Sequence, residues 1–534
     1  MNDHGPANTP MEQGNRPRTT VRWPAVEPAD GTGTAHGNRS TRGASAAHPT
    51  RSAYGVHAND EGAACDAVAR DGTTAWATDG LGLDSQPSPV PGATRATVPP
   101  ASHAPAITSA REPARARARD GWTRLRRAAR RHGPVLALYG TVKLIGFCVF
   151  MYLLDSSGDF RRKNPRFGGG AHVWDVLATW DGWWYQQIAA HGYHPALVPV
   201  PGATGLITLE GNSAAFFPLY PALMRLVSSC TGLGLLGAGL LVSITASFVA
   251  ALGIYAVTAR VGGRRAGLAA AGLWAVWPGS GMEWSAYSES LYIALAAWTC
   301  HAVMRRRWLT AGLLTCAAGL TRPTATALIA ALTLAVLMDL LRHRRAVRRW
   351  GDTPLPDGTT RRGAVLRPLT AVAIAPVGLA GYLGWVGYRM GDLGGYFKLQ
   401  DGAWAHSFDY GRHTVKVFGS LMVGHFDYLY AYPYEDAIGA ATVLLALIIL
   451  PLLFRLRPPL VLTVYTLLTM ALVLGSQQIF GNVSRYLLPA FPLLIPCATA
   501  MRRLSTPVLC TVLTVAALAS GSYAGYVLFE VGIP

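Results

Sequence analysis

Apolar residues run in long blocks from about position 134 to the C-terminus, most of them closed by arginine, proline or glycine, whereas residues 1–113 show no hydrophobic period. Eleven blocks are predicted as membrane helices: 134–154, 233–259, 266–279, 290–303, 309–320, 325–341, 369–388, 438–454, 460–474, 486–500 and 508–529. The stretch 216–227, FFPLYPALMRLV, is short and interrupted by Pro218 and Pro221, so a re-entrant or interfacial piece is predicted there. One amphipathic stretch lies apart from these blocks. In residues 174–193, WDVLATWDGWWYQQIAAHGY, the positions Val173, Leu177, Trp180, Trp184 and Ile188 share a helical stripe, which suits a helix lying along a membrane surface and ending near His191, before Gly192 and Pro195.

Composition strengthens this reading. Hydrophobic residues make up 51% and charged residues 14% of the 534-residue chain, even with the polar N-terminal region included, so an all-α polytopic membrane protein is expected. Residues 1–113, rich in Ala, Gly, Pro, Ser, Thr and Arg, are predicted to be a disordered cytoplasmic tail, followed by a basic juxtamembrane segment at 114–133 and a multi-span domain at 134–534. No apolar h-region follows Met1, so the first membrane helix is expected to act as an uncleaved anchor, unless the start codon has been placed too far upstream. The formal charge of +18 sits in arginine blocks beside apolar runs rather than in an aromatic-interleaved groove, which argues against nucleic acid and for membrane orientation. Seven scattered cysteines form neither a disulfide framework nor a zinc pattern.

The basic loops at 260–265, 305–307, 342–367, 455–457 and 502–503 all fall on the cytoplasmic side when eleven spans are drawn, in a multi-pass protein of the cell membrane with its N-terminus inside. The loops at about 155–214 and 390–434 are then extracytoplasmic. Arg161, Arg162, Lys163 and Arg166 run against the charge rule in the first of these loops, where contact with anionic headgroups is one role for them. Lys143, inside the first span, either serves function or snorkels toward the cytoplasmic surface.

The chemistry-bearing residues gather on the outer side. Asp181 and Tyr185 lie one turn apart in the tryptophan-rich stretch, where indole rings desolvate a carboxylate and strengthen it as a base. Glu289 opens a span, Arg322 lies in an outer turn, and Arg485 enters the last third of the bundle from outside; arginine forks suit phosphate oxygens. Each has a plain structural alternative: a dipole-favoured helix start for Glu289, interfacial anchors for the arginines, a helix-end residue for His191. The second loop carries Tyr396, Phe397, Gln400, Asp401, Trp404, His406, Tyr428, Tyr430, Tyr432 and Tyr434, which make either a sugar-binding surface or an aromatic belt.

The pieces WDGWWYQQIAAHGY (180–193), FFPLYPAL (216–223), YSESLY (287–292) and LTRPTA (320–325) recur in order with the Phe397, Gln400, Trp404 pattern and RYLLPAFP (485–492). In these motifs the chain resembles the PIG-V family of membrane mannosyltransferases, related to GPI mannosyltransferase II, and in particular its bacterial branch, within the GT-C glycosyltransferases. The resemblance covers roughly residues 134–534. It implies a GT-C-like bundle, a polyprenyl-phosphate mannose donor, and an outer-loop aspartate near the reaction centre, which falls on Asp181 or, because Trp174-Asp175 repeats the Trp-Asp pair, on Asp175. Trp180, Tyr185, His191, Glu289, Arg322, Gln400, Trp404 and Arg485 are then the candidate substrate contacts.

The expected function is inverting transfer of a mannosyl or hexosyl group to an extracytoplasmic hydroxyl on a lipid, glycan or protein. A transporter or flippase of lipid-linked sugars is the alternative. No cofactor is required, and no acidic pair offers an evident metal cage, although a divalent ion bridging the phosphate is compatible with the motifs.

Overall fold

The computed structural model describes residues 111–531 apart from 203–204, 351–360 and 429–430; the predicted tail falls almost wholly outside the described residues. Its helices, in chain order, are α1 (Arg111–Ser157), α2 (Asp181–His191), α3 (Leu219–Thr231), α4 (Leu235–Gly262), α5 (Arg264–Ala275), α6 (Glu289–Met304), α7 (Trp308–Gly319), α8 (Ala325–Trp350), α9 (Arg361–Ile374), α10 (Val377–Met390), α11 (Gly395–Trp404), α12 (Arg412–Val423), α13 (Pro433–Arg455), α14 (Leu460–Leu474), α15 (Val483–Tyr486), α16 (Leu494–Met501) and α17 (Thr506–Ser522). Two small antiparallel pairings join loops: β1 (Pro199–Pro201) with β2 (Ile207–Leu209), and β3 (Ser407–Phe408) with β4 (Ser476–Gln477).

Among the described residues six helices are long and apolar enough to cross a membrane: His132–Ser157 of α1, α4, Ala325–Arg345 of α8, Val365–Met390 through α9 and α10, α13, and Thr506–Phe529 through α17. Phe480–Tyr486 and Phe491–Met501 bring the number to seven if this pair, bent by 76°, is one span. The protein is a multi-pass membrane protein.

The other predicted spans form shorter helices, namely α5 (12 residues), α6 (16), α7 (12) and α14 (15). At 1.5 Å per residue these reach only about 18–24 Å, short of a hydrocarbon core of about 30 Å. Specific breakers separate several of these elements. Pro278 follows α5 and opens a 3₁₀ stretch, Pro278–Trp284, that delays α6 until Glu289; α7 ends before the Thr321–Pro323 turn; Pro489 and Pro492 divide the expected span at 486–500. Much of the non-helical backbone so created is buried in protein, the setting in which such backbone is tolerated at membrane depth.

Helix ends alternate along the chain. Helix α6 runs from Glu289 to the Arg305–Arg307 block, α7 runs from that block to Arg322, and α8 runs from this turn to the arginines at 342–345. Polar site residues and arginine blocks thus occupy opposite ends of these helices.

The predicted helix over 174–193 is divided. Val173–Ala178 form a 3₁₀ stretch, and α2 begins only at Asp181 because Trp180 takes φ 49° and ψ −107°. Tertiary bonds replace the helical ladder there: Ala286 N–H donates to the Leu177 carbonyl (2.8 Å), Tyr287 Oη to that of Thr179 (2.8 Å), and Trp180 N–H to that of Arg166 (2.9 Å). The continuous stripe expected from Val173 to Ile188 therefore does not form. Helix α2 instead buries Tyr185, Ile188 and Ala189 against α3 and α4. Arg166 lies over the Trp184 ring at 5.3 Å.

The buried apolar residues among those described form four clusters. Helix α4 packs against α5 and α6, while α1 packs against α17 through glycines so close that a Cβ on Gly521 would meet the Gly146 carbonyl at 2.2 Å. Lys143 neither snorkels nor faces the cavity described below. It is 4% exposed, donates to the Ser280 carbonyl and pairs with Glu283 at 3.1 Å, and Glu283 also accepts from Tyr139 Oη at 2.8 Å. Replacing Lys143 by Met leaves Glu283 buried without its counter-charge. Its cost is expected to be about 3–5 kcal/mol in thermal or denaturant unfolding, with most of it recovered in the Lys143→Met/Glu283→Gln double variant.

Candidate functional site

Asp181, Glu289, Arg322 and Arg485 meet through charge pairs, although more than 300 positions separate the first from the last. Arg485 donates from Nε to Glu289 Oε1 (2.5 Å) and from NH2 to Asp181 Oδ2; Arg322 NH1 reaches the same Glu289 Oε1 at 2.6 Å. The order is Asp181, Arg485, Glu289, Arg322, and the four charges cancel. Burial grades along this series: the side chains of Arg485 and Glu289 are 3% and 2% exposed, Arg322 15% and Asp181 26%. Arg485 also lies over the Tyr287 ring at 4.6 Å, a cation–π contact.

The surrounding backbone fixes this arrangement. Trp277 Nε1 donates to the Ser484 carbonyl at 2.7 Å, and Gly279 is pressed so tightly on α15 that a Cβ there would stand 2.6 Å from Arg485 Cα. The Leu177–Ala286 and Thr179–Tyr287 bonds place Asp181 beside Glu289, and Leu219 N–H donates to the Leu320 carbonyl (2.9 Å), joining α3 to the Arg322 turn.

Above the charges opens a cavity of about 390 Å³ lined by Asp181, Tyr185, Glu289, Arg322, Tyr396, Gln400, Trp404, His406, Arg485 and Tyr486, within the size range of small-molecule sites. Helix α11 supplies one wall: Gln400 Nε2 donates to the Ala215 carbonyl (3.3 Å) and Tyr396 Oη (3.2 Å), and Trp404 meets Trp184 and Phe216 edge-on. The β3–β4 pairing ties this wall to Gln477 and Gln478, which line the cavity and whose polar side chains give no motif in the sequence. Tyr185 donates to Ser288 Oγ at 2.8 Å; burial, with the Asp181 charge, pushes its phenol well up and keeps it an O–H donor. Burial first, and then the Arg485 and Arg322 charges, push the His406 imidazole down to about 4, so it is neutral at physiological pH.

Of the residues singled out in the sequence, Asp181, Tyr185, Glu289, Arg322, Gln400, Trp404 and Arg485 line this cavity. Asp401, Tyr428, Tyr432 and Tyr434 of the second loop do not, nor do three of the other candidates. Asp175 accepts from the His172 N–H at 2.9 Å and caps the 3₁₀ stretch; Trp180 packs on Phe167; His191 is exposed at the end of α2. Tyr430 lies outside the described residues. Asp181 faces the Arg485 guanidinium rather than indole rings alone. Among the described residues no group of three or more His, Cys, Asp or Glu side chains is arranged to hold a metal ion.

Solved structures similar to the chain include an oligosaccharyltransferase and two forms of ArnT. The apo oligosaccharyltransferase of Archaeoglobus fulgidus matches at 12% identity and TM-score 0.40, covering 73% of this chain and 56% of that one. ArnT from Cupriavidus metallidurans matches in its apo state (14% identity, TM-score 0.40) and bound to undecaprenyl phosphate (15%, 0.39), each covering 70% of this chain and 61% of the other. The chain thus spans less than two thirds of these proteins. No family model and no curated protein sequence matches it.

Because the folded chain refuses a proton at His406 that the unfolded chain accepts below pH about 6.5, this residue's contribution to stability is present above that pH and is lost as pH falls toward 4. Thermal unfolding between pH 7 and 4.5 should therefore show a smaller drop in midpoint for His406→Gln than for the wild type.

Proposed function

We propose that the protein is an integral-membrane glycosyltransferase that moves a mannosyl or other hexosyl group, with inversion, from a polyprenyl-phosphate sugar to a hydroxyl on the extracytoplasmic side of the cell membrane. The observation that carries this reading is a partly exposed carboxylate, Asp181, held by Arg485 at the edge of a cavity that also contains the accessible guanidinium of Arg322. The motif resemblance points the same way. So does an apolar groove of about 790 Å³ between α3, α4, α6 and α7, which includes Leu291, two residues beyond Glu289, and suits an isoprenoid chain. The placement of arginine blocks at the opposite helix ends supports an outward-facing site.

In this mechanism the acceptor oxygen forms a bond to the anomeric carbon as the carbon–oxygen bond to phosphate breaks. The hydroxyl proton passes to Asp181, and the electron pair leaves with polyprenyl phosphate. Arg485 already spends Nε and NH2 on the two carboxylates, so it positions Asp181; Arg322 keeps N–H donors for the phosphate oxygens. Glu289 holds both arginines. Asp175, engaged in its own cap, is the less suitable base.

A transporter of lipid-linked sugars is the second reading, favoured by the 76° bend beside Arg485, since broken helices at polar sites are a transporter device. Radiolabelled polyprenyl-phosphate mannose in membranes carrying the protein separates the two. Label should enter a product with the wild type and fall about 10²–10⁴-fold with folded Asp181→Asn. Equal turnover by that variant moves the base to Asp175, and donor that changes leaflet without product supports transport.

Arg322→Ala should raise the donor KM, and by a larger factor at low than at high salt, because screening weakens phosphate attraction. A KM ratio independent of salt removes the phosphate role from Arg322.

A further inference from the structure

Behind Trp404, Gln477 and Gln478, which border both spaces, lies a second cavity of about 490 Å³. Its remaining walls come from the start of α12 and from Asp427 and Tyr428. Its formal charges cancel, with Asp409 and Asp427 against Arg412 and Lys416. Lys416 pairs with Asp427 at 3.1 Å, while Asp409 accepts the backbone N–H groups of Gly411 (2.9 Å) and His413 (2.6 Å).

Three donors and acceptors are left over. The Trp404 indole N–H and His413 Nε2 are buried without a hydrogen-bond partner, and the exposed Arg412 guanidinium has no protein partner among the described residues. Burial also pushes the His413 imidazole down, which leaves it neutral and able to accept a hydrogen bond.

The lining excludes several ligands. Asp427 Oδ1 pairs with Lys416 and both Asp409 oxygens accept backbone amides, which leaves no carboxylate cage for a cation, and the charged walls disfavour a hydrocarbon tail. Two aromatic side chains, Trp404 and Tyr428, line it together with amide, carboxylate and guanidinium groups. Sugar rings offer apolar C–H faces and closely spaced hydroxyls that match this pattern.

We propose that this second cavity is the acceptor subsite and that the acceptor is a saccharide, either a free glycan or the headgroup of a glycolipid. The inference rests on the glycosyltransferase reading. A hydroxyl of the saccharide reaches past Trp404, forms its bond to the anomeric carbon of the donor sugar and gives its proton to Asp181, while the bond from that carbon to the phosphate oxygen breaks and polyprenyl phosphate carries off the electron pair.

The test is saturation-transfer NMR on the full chain in phosphatidylcholine nanodiscs, with methyl α-mannoside, methyl α-glucoside and methyl α-galactoside as probes. At least one glycoside should bind, undecaprenyl phosphate should not displace it, and Arg412→Ala and Asp427→Asn should each weaken it about tenfold while leaving undecaprenyl phosphate binding unchanged. Both substitutions lie at the surface, which spares folding. Octyl glycosides binding more than tenfold tighter than their methyl counterparts indicate a glycolipid source, and equal binding indicates a free glycan.

Absence of binding by all three glycosides, displacement by undecaprenyl phosphate, or unchanged affinity in both variants overturns the proposal. Sugar transfer to a product containing no saccharide acceptor also overturns it while leaving the transferase reading intact. Glycoside binding that follows the expected pattern in a protein that transfers no sugar leaves a saccharide site but overturns the transferase reading and, with it, the acceptor role.

Discussion

The buried guanidinium of Arg485 is the constraint on which the site depends. A charge removed from water costs several kcal/mol unless partners surround it, and its partners here come from two distant segments, Asp181 at the start of α2 and Glu289 at the start of α6. A buried network of this kind adds little net stability compared with well-packed apolar groups. What it supplies is geometry, because an arrangement that separates any member leaves a charge stranded at low dielectric. Pro489 and Pro492 stand at the bend between α15 and α16, and Arg485, just before it, reaches both carboxylates.

Residues 277–289 connect this network to the rest of the bundle. Trp277 and Gly279 hold α15, Ser280 meets Ser520 at 3.1 Å, Glu283 answers Lys143 of α1, and Ala286 and Tyr287 hold the backbone before Asp181. Two buried ion networks therefore share one short non-helical segment. Its irregularity is useful for that reason: successive side chains and carbonyls leave in several directions, whereas a regular helix would commit every backbone group to its own ladder. The shortness of α5 and α6 is the counterpart, because the missing turns are the residues that make these connections.

Hydropathy located the apolar segments because most are blocks bounded by arginine, proline or glycine, and such blocks form helices wherever they sit. It gave α6, α7 and α14 to within a residue or so, but not the ends of α5 or the break in the span expected at 486–500. Pro278, Pro489 and Pro492 terminate helices within blocks that read as continuous, and burial in protein lets the broken backbone persist. The helical stripe through Trp180 failed for another reason: bonds from Arg166, Ala286 and Tyr287 to the 177–180 backbone outweigh local periodicity, and no sequence pattern encodes partners so distant. Asp181, Glu289, Arg322 and Arg485 were legible as isolated charges against an apolar background. Asp175 and His191 carried the same chemical letters, but their distance from the cavity follows from backbone turns. Glu283, Gln477 and Gln478 came from the structure, the last two brought to the cavity wall by the β3–β4 pairing.

The exposure gradient along the charge series gives the site a direction. Glu289 and Arg485 are closed off and have fixed partners; Arg322 and Asp181 are the members that an incoming molecule meets. Since the four charges already cancel, an anion arriving beside Arg322 makes the cavity negative, and the group best able to respond is His406, whose imidazole is held neutral by burial and by the two arginines. The arriving charge offsets the part of that shift due to the arginines, so the bound anion itself raises the proton affinity of the adjacent imidazole. Proton uptake at His406 would then accompany anion binding at acidic pH, coupling the loading of the cavity to a titration that the empty site suppresses.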